Sequence, residues 1–257
     1  MLARVEIHMS LDNHKILLLA QGLSKHYAHH QIIFDLSVSL SKGEVLGLLG
    51  VNGAGKSTTL QMLSGVIAPD AGRIVINDYD LLAQPRQAKR QLGYLPEQPP
   101  LYKELTVTEY LRYCAQLHDV PKAQQSAALQ YVLERCGLTE VNKRLIGNLS
   151  KGFQQRVGIA QAIIHNPEVI ILDEPTVGLD PLQITQIRTL IQDLSQAHGI
   201  ILSTHILPEV QAICDRVQIL NKGRTVFNGT VKEQVALEQI FIELVMSDST
   251  ATDNDGV

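Results

Sequence analysis

Two groups of residues in this 257-residue chain have the types and spacing of phosphate chemistry. The first is Gly50-Val51-Asn52-Gly53-Ala54-Gly55-Lys56-Ser57, which fits G-x-x-x-x-G-K-[ST] and stands between an apolar run, Val45–Leu49, and a helical stretch, Ser57–Leu63. Glycines let the backbone turn so that successive N–H groups point inward, and the helix that follows adds the partial positive charge of its N-terminus. The natural occupant is a polyphosphate. Gly50, Asn52, Gly53, Ala54, Gly55 and Thr58 are the expected cradle, Lys56 the cation for the β- and γ-phosphates, and the Ser57 hydroxyl a ligand of the bridging Mg2+. The second group is Val169-Ile170-Ile171-Leu172-Asp173-Glu174, a buried strand ending in two carboxylates. Adjacent side chains at a strand end diverge, so the acids are expected to differ in role. Asp173 would serve the metal through its water shell, and Glu174 the water that attacks the γ-phosphate.

Such residues need a sheet to hold them, and the rest of the chain supplies one. Strands are expected at Ile16–Ala20, Ile32–Leu40, Val45–Leu49, Arg73–Ile76, Leu92–Leu95, Val169–Leu172, Gly199–Ser203, Val217–Leu220 and Thr225–Phe227, alternating with helical periods. Between about Gln98 and Asn166 the alternation stops and the pattern becomes helical. Thr106 with Glu109 is a capping box opening a helix through Leu117, and Pro121 precedes a second helix running to Cys136. The expected architecture is α/β, a mainly parallel sheet with an inserted helical subdomain over residues 98–166. Leu237, Ile240, Phe241, Leu244 and Val245 repeat at helical spacing, and Ser247–Val257 reads as a polar, acidic tail.

Composition narrows the function classes. With 45% hydrophobic and 19% charged residues the chain is globular in type, and a formal net charge of −4 provides no global field for a nucleic-acid backbone. Nucleic acid is not an expected partner. The three cysteines, Cys114, Cys136 and Cys214, lack metal or thiol-exchange spacing and read as buried thiols in a reducing compartment. Apolar runs are strand-length, too short to cross a bilayer. Residues 1–14 carry Glu6 and Asp12 where a secretory signal would be basic and then apolar, so a cytosolic chain is expected.

A third segment, Leu149-Ser150-Lys151-Gly152-Phe153-Gln154-Gln155-Arg156, lies between the first two. Ser150 can cap a helix whose apolar face is Phe153, Val157, Ala160 and Ile164. The octapeptide is similar to the signature L-S-G-G-Q followed by Q-R, and with it the chain resembles the ATP-binding cassette (ABC) ATPases over roughly Lys15–Asn228. That resemblance implies a P-loop core, here 15–228, with an N-terminal antiparallel β region, flanked by an extension (1–14) and a C-terminal helix and tail (229–257). It implies that Ser150 and Gly152 close on the γ-phosphate of ATP held by a second subunit in a head-to-tail dimer. Lys151 and Phe153 stand where the family has Gly and Gln. It further implies that Gln98 touches Mg2+ as the Q-loop glutamine and that Asp180, in Gly178-Leu179-Asp180-Pro181, belongs to the D-loop. His205 would hydrogen-bond the γ-phosphate, and Tyr27 would stack on adenine, which is a base-tolerant contact.

Two neighbouring patterns read differently. His26, His29 and His30 lack a partner at ligand spacing and read as a solvated turn. Asn221-Lys222-Gly223-Arg224 is similar to N-K-x-D, but Arg224 replaces the acid that reads guanine. The stretch Leu149–Asp180 looks most like bacterial exporter ATPases of the drug, polysaccharide and gliding-motility kind, whose permease is a separate polypeptide. The expected function is therefore an ATPase subunit at the cytoplasmic face of the membrane, paired with a second copy and driving export through a permease. The competing reading, a soluble ABC ATPase of repair, translation or cofactor assembly, would bring a tandem cassette, coiled-coil insertion or zinc module.

Overall fold

Runs that are apolar on both faces form the centre of the structure, a computed structural model that describes residues 15–232 and 237–243. Strands β3 (Val45–Leu49), β7 (Val169–Asp173) and β8 (Gly199–Thr204) are buried at every position, as a parallel sheet covered on both faces requires. With β6 (Leu92–Leu95), β9 (Arg216–Asn221) and β10 (Arg224–Thr230) they make a six-stranded sheet of order β10-β9-β3-β8-β7-β6, parallel except for the β9–β10 hairpin. Alternate side chains feed two cores. Val45, Leu49, Ile170 and Leu172 point into one, and Leu46, Leu48, Val169 and Ile171 into the other.

The second core is closed by an antiparallel sheet of order β2-β1-β4-β5, made of β1 (Ile16–Tyr27), β2 (His30–Ser41), β4 (Ala71–Ile76) and β5 (Tyr79–Asp80), together with α1 (Lys56–Leu63) and α2 (Pro85–Arg90). Helices α3 (Val107–Leu117), α4 (Gln125–Arg135), α5 (Lys151–Ile163), α6 (Pro181–Ser195) and α7 (Leu207–Ile213) cover the first. Residues 237–243 are helical, and Leu237 packs fully buried against this core with Ile240 and Phe241 beside it. Leu244, Val245, the segment 1–14 and the tail from Ser247 lie outside the described residues.

The α/β architecture and the helical stretch between β6 and β7 are as the sequence implied. Thr106 and Glu109 form both halves of the capping box, with Glu109 N donating to Thr106 Oγ1 at 3.3 Å and Thr106 N to Glu109 Oε2 at 2.9 Å. Some boundaries differ. The strand expected to stop at Ala20 continues to Tyr27, because β1 changes register at bulges near Gly22 and pairs with β2 to its end. The helix expected directly after Pro121 begins at Gln125, since the chain first makes a turn in which Gln124 N donates to Pro121 O. α2 and α7 are short helices with proline in their first turn, which the sequence reading did not include.

Candidate active site

Parallel strands end level at one edge of the large sheet: Leu95 pairs with Leu172, Asp173 with Ser203, and Leu49 with Thr204. The loops that leave there gather the chemistry, as expected at the carboxyl ends of an open α/β sheet. After β3 the segment Gly50–Gly55 turns into α1. Gly50 passes so close to β9 that a Cβ would lie 2.5 Å from the Leu220 carbonyl oxygen. Gly55 caps α1 at φ 103°, where an added Cβ would also meet Ile33 at 2.7 Å. Ala54 is buried behind the loop. Lys56 is 6% exposed, its ammonium donating to the Gly50 carbonyl at 2.8 Å and the Val51 carbonyl at 3.2 Å, and lying 3.5 Å from Glu174 Oε1.

Past β7 the two acids diverge as expected. Asp173 is 3% exposed, and its Oδ1 accepts from Ser203 Oγ at 2.6 Å and Ser57 Oγ at 3.2 Å. Burial pushes its carboxyl above the usual range, the two hydroxyls oppose the rise, and the charges of Glu174 and Glu97 add to it. A hydroxyl beside a buried carboxylate offers hard oxygen donors, the set that suits a small divalent cation. Glu174 sits at φ 48°, a left-handed conformation for a residue with a Cβ, and its N–H donates to Ser203 Oγ at 2.9 Å. This turn swings the Glu174 carboxylate away from Asp173 and toward Lys56 and His205. Both its oxygens lie 3.1 Å from His205 Nδ1.

Lys56, Ser57, Thr58, Glu174 and His205 line a cleft of about 640 Å3, together with Asn52, Gly53 and Gly55. Tyr27 closes one end from the β1–β2 turn, which Ala28 makes at φ 52°, and the ring is 47% exposed. Gln98 is not among the residues that line the cleft, whereas the preceding residue, Glu97, is. Both residues follow the end of β6 at Leu95, and both are exposed. Among the neighbouring histidines, His26 faces Asp70, whose carboxyl is lowered to about 2 by hydrogen bonds from the Lys25 ammonium and the His26 backbone.

Ser150, Gly152 and Asp180 do not line this cleft. They form a separate group in which Ser150 and Asp180 are exposed and Gly152 is buried against Gln183. Ser150 is exposed and caps α5 by accepting from Phe153 N at 3.4 Å, while Asp180 caps α6 by accepting from Gln183 N at 2.9 Å. The two caps adjoin, because a Cβ on Gly152 would meet Gln183 Oε1 at 2.6 Å and one on Gly178 would strike the Lys151 ammonium. A further cleft, of about 690 Å3, separates α4 from the end of α5 and contains none of these residues. In it the rings of His118 and His165 stack 3.9 Å apart, and burial pushes His165 down to about 4.

Comparison with known proteins fits this geometry. The family described as ABC transporter matches residues 33–177. The linearmycin resistance ATP-binding protein LnrL of Bacillus subtilis (strain 168) is 37% identical over 215 residues, which covers 83% of this chain and 69% of that protein. The lipopolysaccharide export system ATP-binding protein LptB of Haemophilus influenzae is 34% identical over 228 residues, 87% of this chain and 95% of that one. Among solved structures, an ATP-binding subunit of an ABC transporter superposes with a TM-score of 0.80 at 35% identity, covering 89% of this chain and 99% of the other.

Proposed function

The chain belongs to the ABC transporter family as an ATP-binding subunit, an ATPase coupled to transport by a membrane permease, and from that premise we propose that two copies hydrolyse ATP jointly to drive export. The observation that carries this reading is the division of phosphate-facing groups between two surfaces of one chain. Lys56, Ser57, Glu174 and His205 converge on one cleft with Asp173 bonded behind Ser57, while Ser150 is exposed on another surface beside the buried Gly152. A second copy turned head to tail would bring its Ser150 helix start to the γ-phosphate in the first copy's cleft. The relatives named for drug resistance and lipopolysaccharide export support the direction of transport.

In this reading the backbone of residues 50–55 and the start of α1 hold the triphosphate, Tyr27 stacks on the base, and Lys56 exchanges its carbonyl partners for β- and γ-phosphate oxygens. Mg2+, when bound, neutralises charge on those oxygens, and the donors suited to it are Ser57, Asp173 through water, and Glu97 in the place first assigned to Gln98. Glu174 accepts a proton from the water whose oxygen attacks the γ-phosphorus, and the bond to the β-bridging oxygen breaks. His205, held through Nδ1 by Glu174, keeps Nε2 available for a γ-phosphate oxygen. The subunit would lie at the cytoplasmic face of the membrane, where ATP is available.

Hydrolysis measured against protein concentration tests the two-chain site. Specific activity is expected to rise with concentration while monomer dominates. Activity independent of concentration in a demonstrated monomer would overturn it. Co-purification with an integral membrane protein tests the permease.

A further inference from the structure

A buried carboxylate outside the cleft ties two of its walls together. Glu209, in the first turn of α7, is 3% exposed and takes one threonine hydroxyl on each oxygen. Thr176 Oγ1 donates to Oε1 at 2.5 Å and Thr204 Oγ1 to Oε2 at 2.7 Å. None of the ion pairs among the described residues includes Glu209. An anion buried without a cation opposes folding unless its lone pairs are filled, and an apolar side chain of similar volume would pack at lower cost. What a carboxylate offers instead is two acceptors at a fixed separation.

The two hydroxyls it fixes belong to different working parts. Thr204 precedes His205, and its Oγ1 also accepts from Ile206 N at 3.1 Å, so the backbone is held on both sides of the imidazole. Thr176, itself 4% exposed, stands two residues after Glu174 and begins the loop to Asp180, where Leu179 N donates to its carbonyl at 3.3 Å. Ser203 joins the same two chain segments closer to Asp173, but its bonds stop at the Glu174 N–H. Of these bridging groups, Glu209 is the one whose bonds extend past Glu174 into the Asp180 loop.

We propose that Glu209 is a positioning residue for ATP hydrolysis, which through Thr204 and Thr176 locks His205 and the loop 176–180 into one arrangement. Contact of His205 with the γ-phosphate and presentation of Asp180 to the second chain then occur together. This rests on the ATPase reading given above. Thr176→Val keeps the shape and removes one hydroxyl, Thr176→Ser restores it, and Glu209→Gln leaves a single acceptor for two donors. For the Val and Gln variants kcat is expected to fall at least ten-fold, with KM and the affinity for a fluorescent ATP analogue within two-fold of wild type. Thr176→Ser should return kcat to within three-fold of wild type. Wild-type rates in both Thr176→Val and Glu209→Gln, KM rising in step with the loss of kcat, or no rescue by serine would each overturn the proposal. Should Glu209→Gln fail to fold, the Val and Ser pair decides, because it leaves the carboxylate with Thr204. An active wild type with insensitive variants overturns this inference alone, whereas an inactive wild type overturns the ATPase reading and the inference with it.

Discussion

Lys56 and Ser150 both stand where a helix begins after a turn, and both helix starts expose backbone N–H groups that lack intrahelical partners. Their surroundings differ. Lys56 is buried, bonded to two carbonyls and opposed by Glu174, and the neighbouring Ser57 is joined to Asp173. Ser150 is exposed, with one long capping contact, beside the exposed Lys151. The first loop has acids and an imidazole within reach for moving protons and holding a cation, whereas near the second Asp180 is already engaged in capping α6. A helix start can stabilise phosphate charge anywhere, but hydrolysis also needs a base and a metal site. The difference is the physical argument for a reaction centre shared between two chains, and it can be broken from either side.

The largest effect is expected on the first side. Glu174→Gln removes the proton acceptor while keeping the shape, and should cut turnover by about 10²–10⁴-fold with ATP binding retained. Size-exclusion chromatography with Mg-ATP should then find a trapped dimer, and hydrolysis at the wild-type rate would remove Glu174 from its role. Lys56→Ala deletes the cation facing the β- and γ-phosphates and should weaken nucleotide affinity by roughly 10²-fold, on the scale of a charge-assisted contact in a water-poor site. Titration with a fluorescent ATP analogue reads it, and unchanged affinity would mean that residues 50–57 are not the phosphate cradle.

On the other side, Ser150→Arg should leave affinity of the monomer for ATP within about two-fold, because Ser150 does not line the cleft of its own chain. ATP-dependent dimerisation and hydrolysis should fall together by about ten-fold or more, the cost of a bulky charge at a packed interface. If Ser150→Arg retains hydrolysis, the two loops do not cooperate and the comparison fails.

The same contrast marks how much could be read from the sequence. The loop 50–57 and the strand 169–173 were legible because their chemistry is contiguous: glycines, lysine and serine follow one another, and four apolar residues aim the acids at the sheet edge. The helical stretch was legible from caps, Thr106 and Ser150 both holding the N–H groups their positions suggested. What escaped depends on long-range pairing. The extension of β1 to Tyr27 is set by its register with β2, and the bridging role of Glu209 by its bond to Thr176, 33 residues away in the chain. That Glu97 lines the cleft depends on the course of the loop beyond β6, which strand and helix periodicity do not reach.

The choice between Glu97 and Gln98 yields the smallest effect and the sharpest reading of the first side. Glu97 is an exposed acid facing a cleft that, in the proposed function, receives a polyphosphate. Without a divalent cation, acid and phosphate repel, and with one they share it. Glu97→Gln should therefore tighten metal-free ATP binding by roughly three- to five-fold, as expected for one charge pair partly screened by water. It should also lower the gain in affinity that Mg2+ provides by a similar factor. Both changes should shrink as salt is raised, because screening weakens the repulsion and the shared attraction alike. Gln98→Ala, altering a side chain that does not line the cleft, should change neither quantity. Nucleotide titrations in EDTA and in Mg2+ read all of this without any hydrolysis. If Gln98→Ala lowers the Mg2+ gain while Glu97→Gln is silent, the amide is the cation-facing group and must turn into the cleft when nucleotide binds.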